Sequence, residues 1–341
     1  MHRQPAIGSS TKLFVILALS SICLTAKPVL SKDIYRTPPN PAAQEGPLES
    51  DALQSGDFWE AVHIDGINRN FIVHVPSGIS KVEKSIEKPP VVLVFHGGGG
   101  GAKSMAKFSR FNEIGDAHNA LVVYPDAISK HWNDGRNFRA HPSEDDVQFI
   151  TKALDFLIER YNADPKRIYV AGISNGGFFA ERLALQLPTR IAAIAVIDAG
   201  ITKQLEAMAS IDVPVATLLI LGTEDPLVPF KGGAVAPMFG GRGEVLPGPE
   251  TVSFWANHNH CLPQGETKDL PVRDETDVTR IKQTVFQPKE NGKMVMADLV
   301  EGGGHTWPSG SQYMPRRFIG RTTKQLNNED IWQFFQDKHT P

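Results

Sequence analysis

Apolar residues in this chain gather into short, nearly unbroken runs. Val91–Phe95 (VVLVF), Leu121–Tyr124, Ile168–Ala171, Ile191–Ile197, Val213–Leu221 and Met294–Val300 all have this character. Runs of this length with little polar alternation predict strands covered on both faces, as in a parallel sheet. Upstream, Phe58–Ile64 and Asn70–Val75 are joined through the turn pair Asp65-Gly66, which predicts an antiparallel hairpin, with order beginning near Asp57. Helical spacing separates the runs. Over Asp145–Tyr161, Val147, Ile150, Leu154, Leu157 and Ile158 recur on one face, with Ser143 placed to cap the helix and Asp146 three residues on. Phe178–Gln186 and Asn328–Lys338 are the next helical segments. Strands alternating with helices predict an α/β fold, a mostly parallel doubly wound sheet preceded by the hairpin, in one domain over residues 55–341.

The N-terminus reads differently. Leu13–Leu24 is an apolar run of 12 residues behind Arg3 and Lys12. A membrane-spanning helix needs about 20 residues, so the run suits the core of a signal peptide over residues 1–26, cleaved after Ala26 or, further on, Ser31. An uncleaved anchor is the competing reading. A lipoprotein at Cys23 is disfavoured because Ile22 stands where a small residue would be needed. Residues 27–54 are rich in Pro, Ser and small residues and predict a disordered linker. Secretion or a periplasmic location follows as an expectation.

Composition narrows the function. Hydrophobic residues make up 41% and charged residues 21%, enough to fill a core. A net charge of −3 and a pI near 6.4 give no overall basic field, so neither nucleic acid nor stable membrane insertion after signal cleavage is expected. The chain has two cysteines; with Cys23 in the signal segment, Cys261 has no partner for an internal disulfide.

The candidate chemistry centres on Ser174. The strand Arg167–Ala171 runs into Gly172-Ile173-Ser174-Asn175-Gly176, and a helix follows. A serine held on a tight strand-to-helix turn projects its hydroxyl above the sheet, and glycines on either side let neighbouring backbones approach. The helix N-terminus behind it favours a developing oxyanion. A hydroxyl is a poor nucleophile and needs a base. Of 11 histidines, His305 is best placed, on the glycine-rich loop after the last buried strand. His258 and His260 flank Asn259 without a further ligand at metal spacing, and read as surface residues in or near a helix. Asp225, after Val213–Leu221, is the candidate third member; Glu224 beside it and Asp198 one strand earlier compete. The order Ser174, Asp225, His305 is that of α/β hydrolases. After Val91–Phe95 comes His96 and then five glycines, Gly97–Gly101. Such a run is costly unless its backbone must present N–H groups. Gly98, with Gly99 as an alternative, and Asn175 are the expected oxyanion donors. No Gly-Lys-Ser/Thr ends the run, and no ribose-binding acid follows at clear spacing, which argues against nucleotide binding. Trp132 and Trp307 sit on loops near these residues and are expected to line the substrate site, with ordinary packing as the alternative. Gly232–Pro247 is expected to shape that site.

Together these segments resemble the extracellular poly(3-hydroxybutyrate) depolymerase and feruloyl esterase family of the α/β-hydrolase superfamily. The resemblance covers about Gly56 to Phe335. It is carried by His74-Val-Pro76, VVLVFHGGGG, Val123-Tyr-Pro-Asp126, Trp132-Asn-Asp-Gly-Arg136, Asp145-Asp-Val147, Asp164–Gly177, Gly222-Thr-Glu-Asp225 with Val228-Pro229, and Gly303-Gly-His-Thr-Trp-Pro308. It implies a fold of the α/β-hydrolase type, with Ser174 as nucleophile, Asp225 as acid and His305 as base. It also implies hydrolysis of short-chain or aromatic carboxylic esters without metal or cofactor. Phe230 departs from a frequent tyrosine, and no separate polymer-binding domain is apparent, so the resemblance does not choose between polyester oligomers and feruloyl or acetyl esters. A peptidase on the same fold and a non-catalytic binding protein are the rival readings; an ester-and-peptide panel and a fluorophosphonate probe separate them.

Overall fold

The computed structural model describes residues 54–80, 87–136 and 145–340. The signal segment expected over 1–26, the linker expected over 27–54 except its last residue, and the expected cap Ser143 lie outside the described residues. Among the described residues no helix is long and apolar enough to cross a membrane.

The strands, in chain order, are β1 (Gly56–Ile64), β2 (Ile67–Val75), β3 (Val91–Phe95), β4 (Leu121–Pro125), β5 (Ile168–Ile173), β6 (Ala193–Ile197), β7 (Ala216–Gly222), β8 (Gly233–Ala234), β9 (Glu244–Val245), β10 (Glu266–Asp269), β11 (Arg280–Phe286) and β12 (Val295–Glu301). The α-helices are α1 (Ser77–Ser80), α2 (Ala102–Ser109), α3 (Asn112–His118), α4 (Asp146–Tyr161), α5 (Asn175–Gln186), α6 (Lys203–Glu206), α7 (Gly248–His258), α8 (Arg316–Ile319) and α9 (Asn328–Phe335).

Ten strands form one sheet in the order β1-β2-β4-β3-β5-β6-β7-β12-β11-β10. The central six, β4 to β12, run parallel. The β1–β2 hairpin extends one edge antiparallel to β4. β11 and β10 extend the other edge, also antiparallel. The fold is therefore α/β with a mixed, mostly parallel sheet and the predicted hairpin.

Full burial explains the apolar runs. Val91, Leu93 and Phe95 face one core and Val92 and Val94 the other, all at 0% exposure. Each such side chain contributes roughly 1.5–3 kcal/mol by leaving water. α4 packs Phe149, Ile150, Ala153, Leu154 and Leu157 into the first core. Its cap differs from expectation: the Asp145 carboxylate accepts from Gln148 N at 3.0 Å, and Asp146 opens the helix. The Asp145 side chain thereby satisfies one of the orphan N–H groups of the first turn.

The edge strands β10 and β11 were not anticipated. Glu266–Asp269 (ETKD) is exposed throughout, so its apolar pattern carries no signal. Charged residues suit an edge strand, where they discourage pairing with another chain.

Candidate active site

Ser174 is the N-cap of α5, at φ 56° and ψ −124°. A side chain at positive φ is strained by roughly 1–3 kcal/mol, and such residues cluster at functional sites. The turn is pinned by Ser174 N donating to Ile197 O at 2.9 Å. It also demands its glycines. A Cβ on Gly172 would stand 2.3 Å from Gly176 O, and one on Gly176 would stand 2.6 Å from the carbonyls of Phe95 and His96. The helix thus begins immediately at Asn175, three residues earlier than its apolar spacing predicts.

Asp225 and His305 arrive from neighbouring parallel strands. Asp225 follows β7 and His305 follows β12, and the two strands pair from Val295↔Thr217 to Val300↔Gly222. Asp225 Oδ2 lies 2.7 Å from His305 Nδ1, and both side chains are buried. Asp225 Oδ1 accepts from Leu227 N at 2.7 Å and Val228 N at 2.8 Å. A carboxylate only accepts, so His305 donates from Nδ1 and Nε2 carries the lone pair. Burial opposes charge on the His305 ring. The charge and hydrogen bond of Asp225, with Asp198 adding to them, outweigh it and hold the imidazole above its ordinary value.

Ser174 and His305 line one cavity of about 560 Å³. Gly98 and Asn175 line it too. Of the glycine loop, Gly99 N donates to Lys130 O at 2.8 Å and Gly100 N to Gly97 O at 3.0 Å. This commits Gly99, the alternative donor, elsewhere, while Gly98 stays on the cavity wall. Asn175 N is the first N–H of α5, where the helix supplies no acceptor.

The two tryptophans are not part of this wall. Trp132 is 1% exposed and Trp307 0%. The Trp132 indole stacks on Phe179 at 5.1 Å and donates from Nε1 to His96 O at 3.0 Å. Its backbone exchanges two bonds with the Asn175 side chain: Trp132 N donates to Oδ1 at 2.8 Å, and Nδ2 donates to Trp132 O at 3.1 Å. Trp307 Nε1 donates to Asn328 Oδ1 at 2.7 Å. Large indoles whose N–H finds a partner inside are stable in a core, and these two support the site from beneath.

The wall is made by residues the sequence did not single out. Met105 and Phe108, one turn apart on α2, line the cavity together with Leu227 and Val228. Tyr313 and Met314 close the side near His305; Tyr313 packs edge-on to Phe108 at 5.3 Å and donates to His305 O at 3.2 Å. The helical spacing of Met105 and Phe108 directly after the glycine run was the available signal. The Gly232–Pro247 segment brings Val235, Ala236 and Arg242 to the wall. Asp134 ties the floor together, accepting from Asn175 Nδ2 at 2.6 Å and from Arg136 Nε at 3.0 Å.

His96 is neutral and internally satisfied. Nδ1 lies 2.8 Å from Gly97 O, Nε2 accepts from Ala127 N at 3.2 Å, and burial lowers its proton affinity. His258 ends α7, as its neighbourhood suggested, but its ring is no surface feature: it stacks on Phe254, and Nε2 is buried without a hydrogen bond. His260 pairs with Asp212 at 2.8 Å. Cys261 is a buried free thiol, with Sγ 3.2 Å from Lys293 O.

Ligand atoms of Asp198, Asp225 and His305 lie within 4.8 Å of one another. Both oxygens of each carboxylate already accept from N–H groups. Their lone pairs point at hydrogen-bond donors, an arrangement built for orienting a ring rather than for holding a cation.

The sheet, the strained turn at its centre and the His–Asp pair at the ends of adjacent strands define an α/β hydrolase. Residues 71–217 match the family described as Esterase PHB depolymerase, a match that supports a carboxylic ester hydrolase. It is similar to a putative esterase, NocK, of Nocardia uniformis subsp. tsuyamanensis, 29% identical over 92% of this chain and 94% of that protein. It is also similar to feruloyl esterase B of Piromyces equi, 26% identical over 70% of this chain but only 42% of that protein. An acetyl xylan esterase from Aspergillus awamori shares the fold, with a TM-score of 0.53 at 16% identity over 79% of this chain and 94% of that one.

Proposed function

We propose that this chain is an exported serine esterase that works through an acyl-serine, with Ser174 as nucleophile, His305 as base and Asp225 as the orienting acid. One observation carries the reading: a serine at positive φ lines the same cavity as a buried histidine whose Nδ1 is fixed by a buried carboxylate.

His305 Nε2 takes the hydroxyl proton while Ser174 Oγ bonds to the ester carbonyl carbon. The carbonyl oxygen, now an oxyanion, receives the N–H groups of Gly98 and Asn175. Collapse breaks the bond to the alcohol oxygen, and His305 returns the proton to that leaving group. Water then gives a proton to the same nitrogen and attacks the acyl carbon; collapse breaks the bond to Ser174 Oγ, which takes that proton back from His305 as the acid is released. Each oxyanion donor is worth about 10²–10³ in rate.

For substrate, a cavity of this size with Met105, Phe108, Leu227 and Val235 on its walls favours an apolar acyl group of small to middle size. The relatives' names span feruloyl and acetylxylan esters and poly(3-hydroxyalkanoate). Esters of these classes are the proposed substrates. Export rests on the Leu13–Leu24 run behind Arg3 and Lys12.

The test is Ser174→Ala, assayed on acetyl, feruloyl and hydroxybutyrate oligomer esters alongside a fluorophosphonate probe. Wild type should hydrolyse at least one class and label at Ser174; the variant should lose about 10³-fold or more in kcat with its melting unchanged. Retained hydrolysis by the variant would sink the assignment.

A further inference from the structure

Asp198 closes β6 and takes part in no step above. It is 3% exposed and sits at φ 47°, a strained backbone for any residue with a side chain. Its amide donates to Ile220 O at 2.9 Å, which fixes the turn. Its carboxyl group spans two strand ends: Oδ1 accepts from Gly222 N at 3.0 Å, where β7 stops, and Oδ2 accepts from Thr306 N at 2.8 Å, directly after His305. The other backbone bonds of His305 and Thr306 run to Ile319, Tyr313 and Gly304. The bond to Asp198 is the one that ties this pair of residues to β6, beside the strand that carries Ser174.

We propose that Asp198 is a positioning residue for ester hydrolysis: its carboxyl group latches the backbone after His305 to the end of β7 and so fixes the imidazole between Asp225 and Ser174. The proposal rests on the reading of His305 as base. The groups facing Asp198 are Asp225 and His305, with Tyr313 beyond them. Burial first, and then the Asp225 carboxylate, push the Asp198 carboxyl up to about 8. The latch works by accepting a hydrogen bond on each of its two oxygens. Two carboxyl groups this close do not both ionise readily. The strained φ is what points the carboxyl group across the strand ends instead of along β6.

Asp198→Asn tests the latch, because its amide keeps the shape but sets an N–H donor where one acceptor is needed. Rates on a soluble chromogenic ester are normalised to sites titrated by a fluorophosphonate. The expected result is a kcat lower by about 10- to 100-fold with KM within about twofold of wild type. In an Asp225→Asn background the same change should cost less than about threefold, since a ring already misoriented has little left to lose. If Asp198→Asn does not fold, Asp198→Ser, which removes the carboxyl group with less bulk, should show the same two patterns. A kcat within twofold of wild type at an unchanged melting temperature overturns the proposal, and so do losses that multiply with those of Asp225→Asn. An absence of titratable Ser174 in wild type would instead overturn the esterase reading itself.

Discussion

Asp225 and His305 meet at 2.7 Å from the ends of adjacent parallel strands, with both side chains withdrawn from solvent. This contact fixes the tautomer of the ring and raises its proton affinity against the effect of burial. The base must be neutral to accept the Ser174 proton, so activity is lost as pH falls through the His305 value. The acid limb of kcat/KM should therefore have its midpoint above the 6.5 of an ordinary imidazole. Asp225→Asn should move that limb to lower pH and lower kcat by about 10⁴-fold, because the charge opposite the ring and the correct tautomer are lost together. A pH profile that keeps its midpoint in the variant would contradict the pairing.

Glu181 predicts a pH dependence of stability rather than of rate. It is fully buried in α5; Oε1 accepts from Trp255 Nε1 at 3.0 Å and Oε2 has no partner. Burial pushes its carboxyl from 4.5 up to about 8. The unfolded chain sheds this proton above pH 4.5, whereas the folded chain keeps it until about 8. Unfolding therefore releases a proton in that window, and stability falls as pH rises through it, by up to roughly 3 kcal/mol at pH 7 from this group. In Glu181→Gln the difference in Tm from wild type should become more positive between pH 5 and pH 8. Parallel curves for the two proteins would refute the assignment.

Much of this arrangement is legible in the sequence because it depends on local backbone demands. The runs Val91–Phe95 and Ile168–Ala171 mark strands covered on both faces, and glycines at 172 and 176 mark a turn where backbones touch. Chain order placed Asp225 and His305 on the last two strands of the parallel run, and the register confirms that they are neighbours. What stayed hidden depends on side-chain direction. Trp132 and Trp307 lie on loops near the site, yet point into the core, and no spacing rule distinguishes an inward from an outward loop tryptophan. Asp198 reads as a poorer rival of Asp225; its link to Thr306 N joins residues more than 100 positions apart and becomes visible only in three dimensions. β10 was illegible because a strand wet on both faces carries no apolar period.

The turn at Ser174 should tolerate no side chain at its flanking glycines. In Gly172→Ala the new Cβ would meet Gly176 O and C at 2.3 and 2.5 Å, both backbone atoms that cannot rotate away. Relief requires moving α5 against β5, which takes Ser174 out of line. The expected outcome is a loss of about 3 kcal/mol or more in stability, with no fluorophosphonate labelling in whatever fraction folds. Denaturant unfolding with a labelling gel measures both. A stable, labelled Gly172→Ala protein would show that the close approach is not required.

Trp132 and Phe108 separate support from substrate contact. Trp132 holds His96 O and the Asn175 side chain from below, whereas Phe108 faces the cavity. Trp132→Phe keeps an aromatic ring against Phe179 but leaves the buried His96 carbonyl without its Nε1 donor, a cost of about 1–3 kcal/mol. Tm should fall while the order of preference among acetyl, butyryl and aromatic acyl esters is kept. Phe108→Ala removes half-buried wall area beside Tyr313 and should change that order, because the acyl group loses contact surface in proportion to its own size. The measurement is kcat/KM across the ester series for both variants. If Trp132→Phe reorders the series and Phe108→Ala does not, the wall has been assigned to the wrong residues.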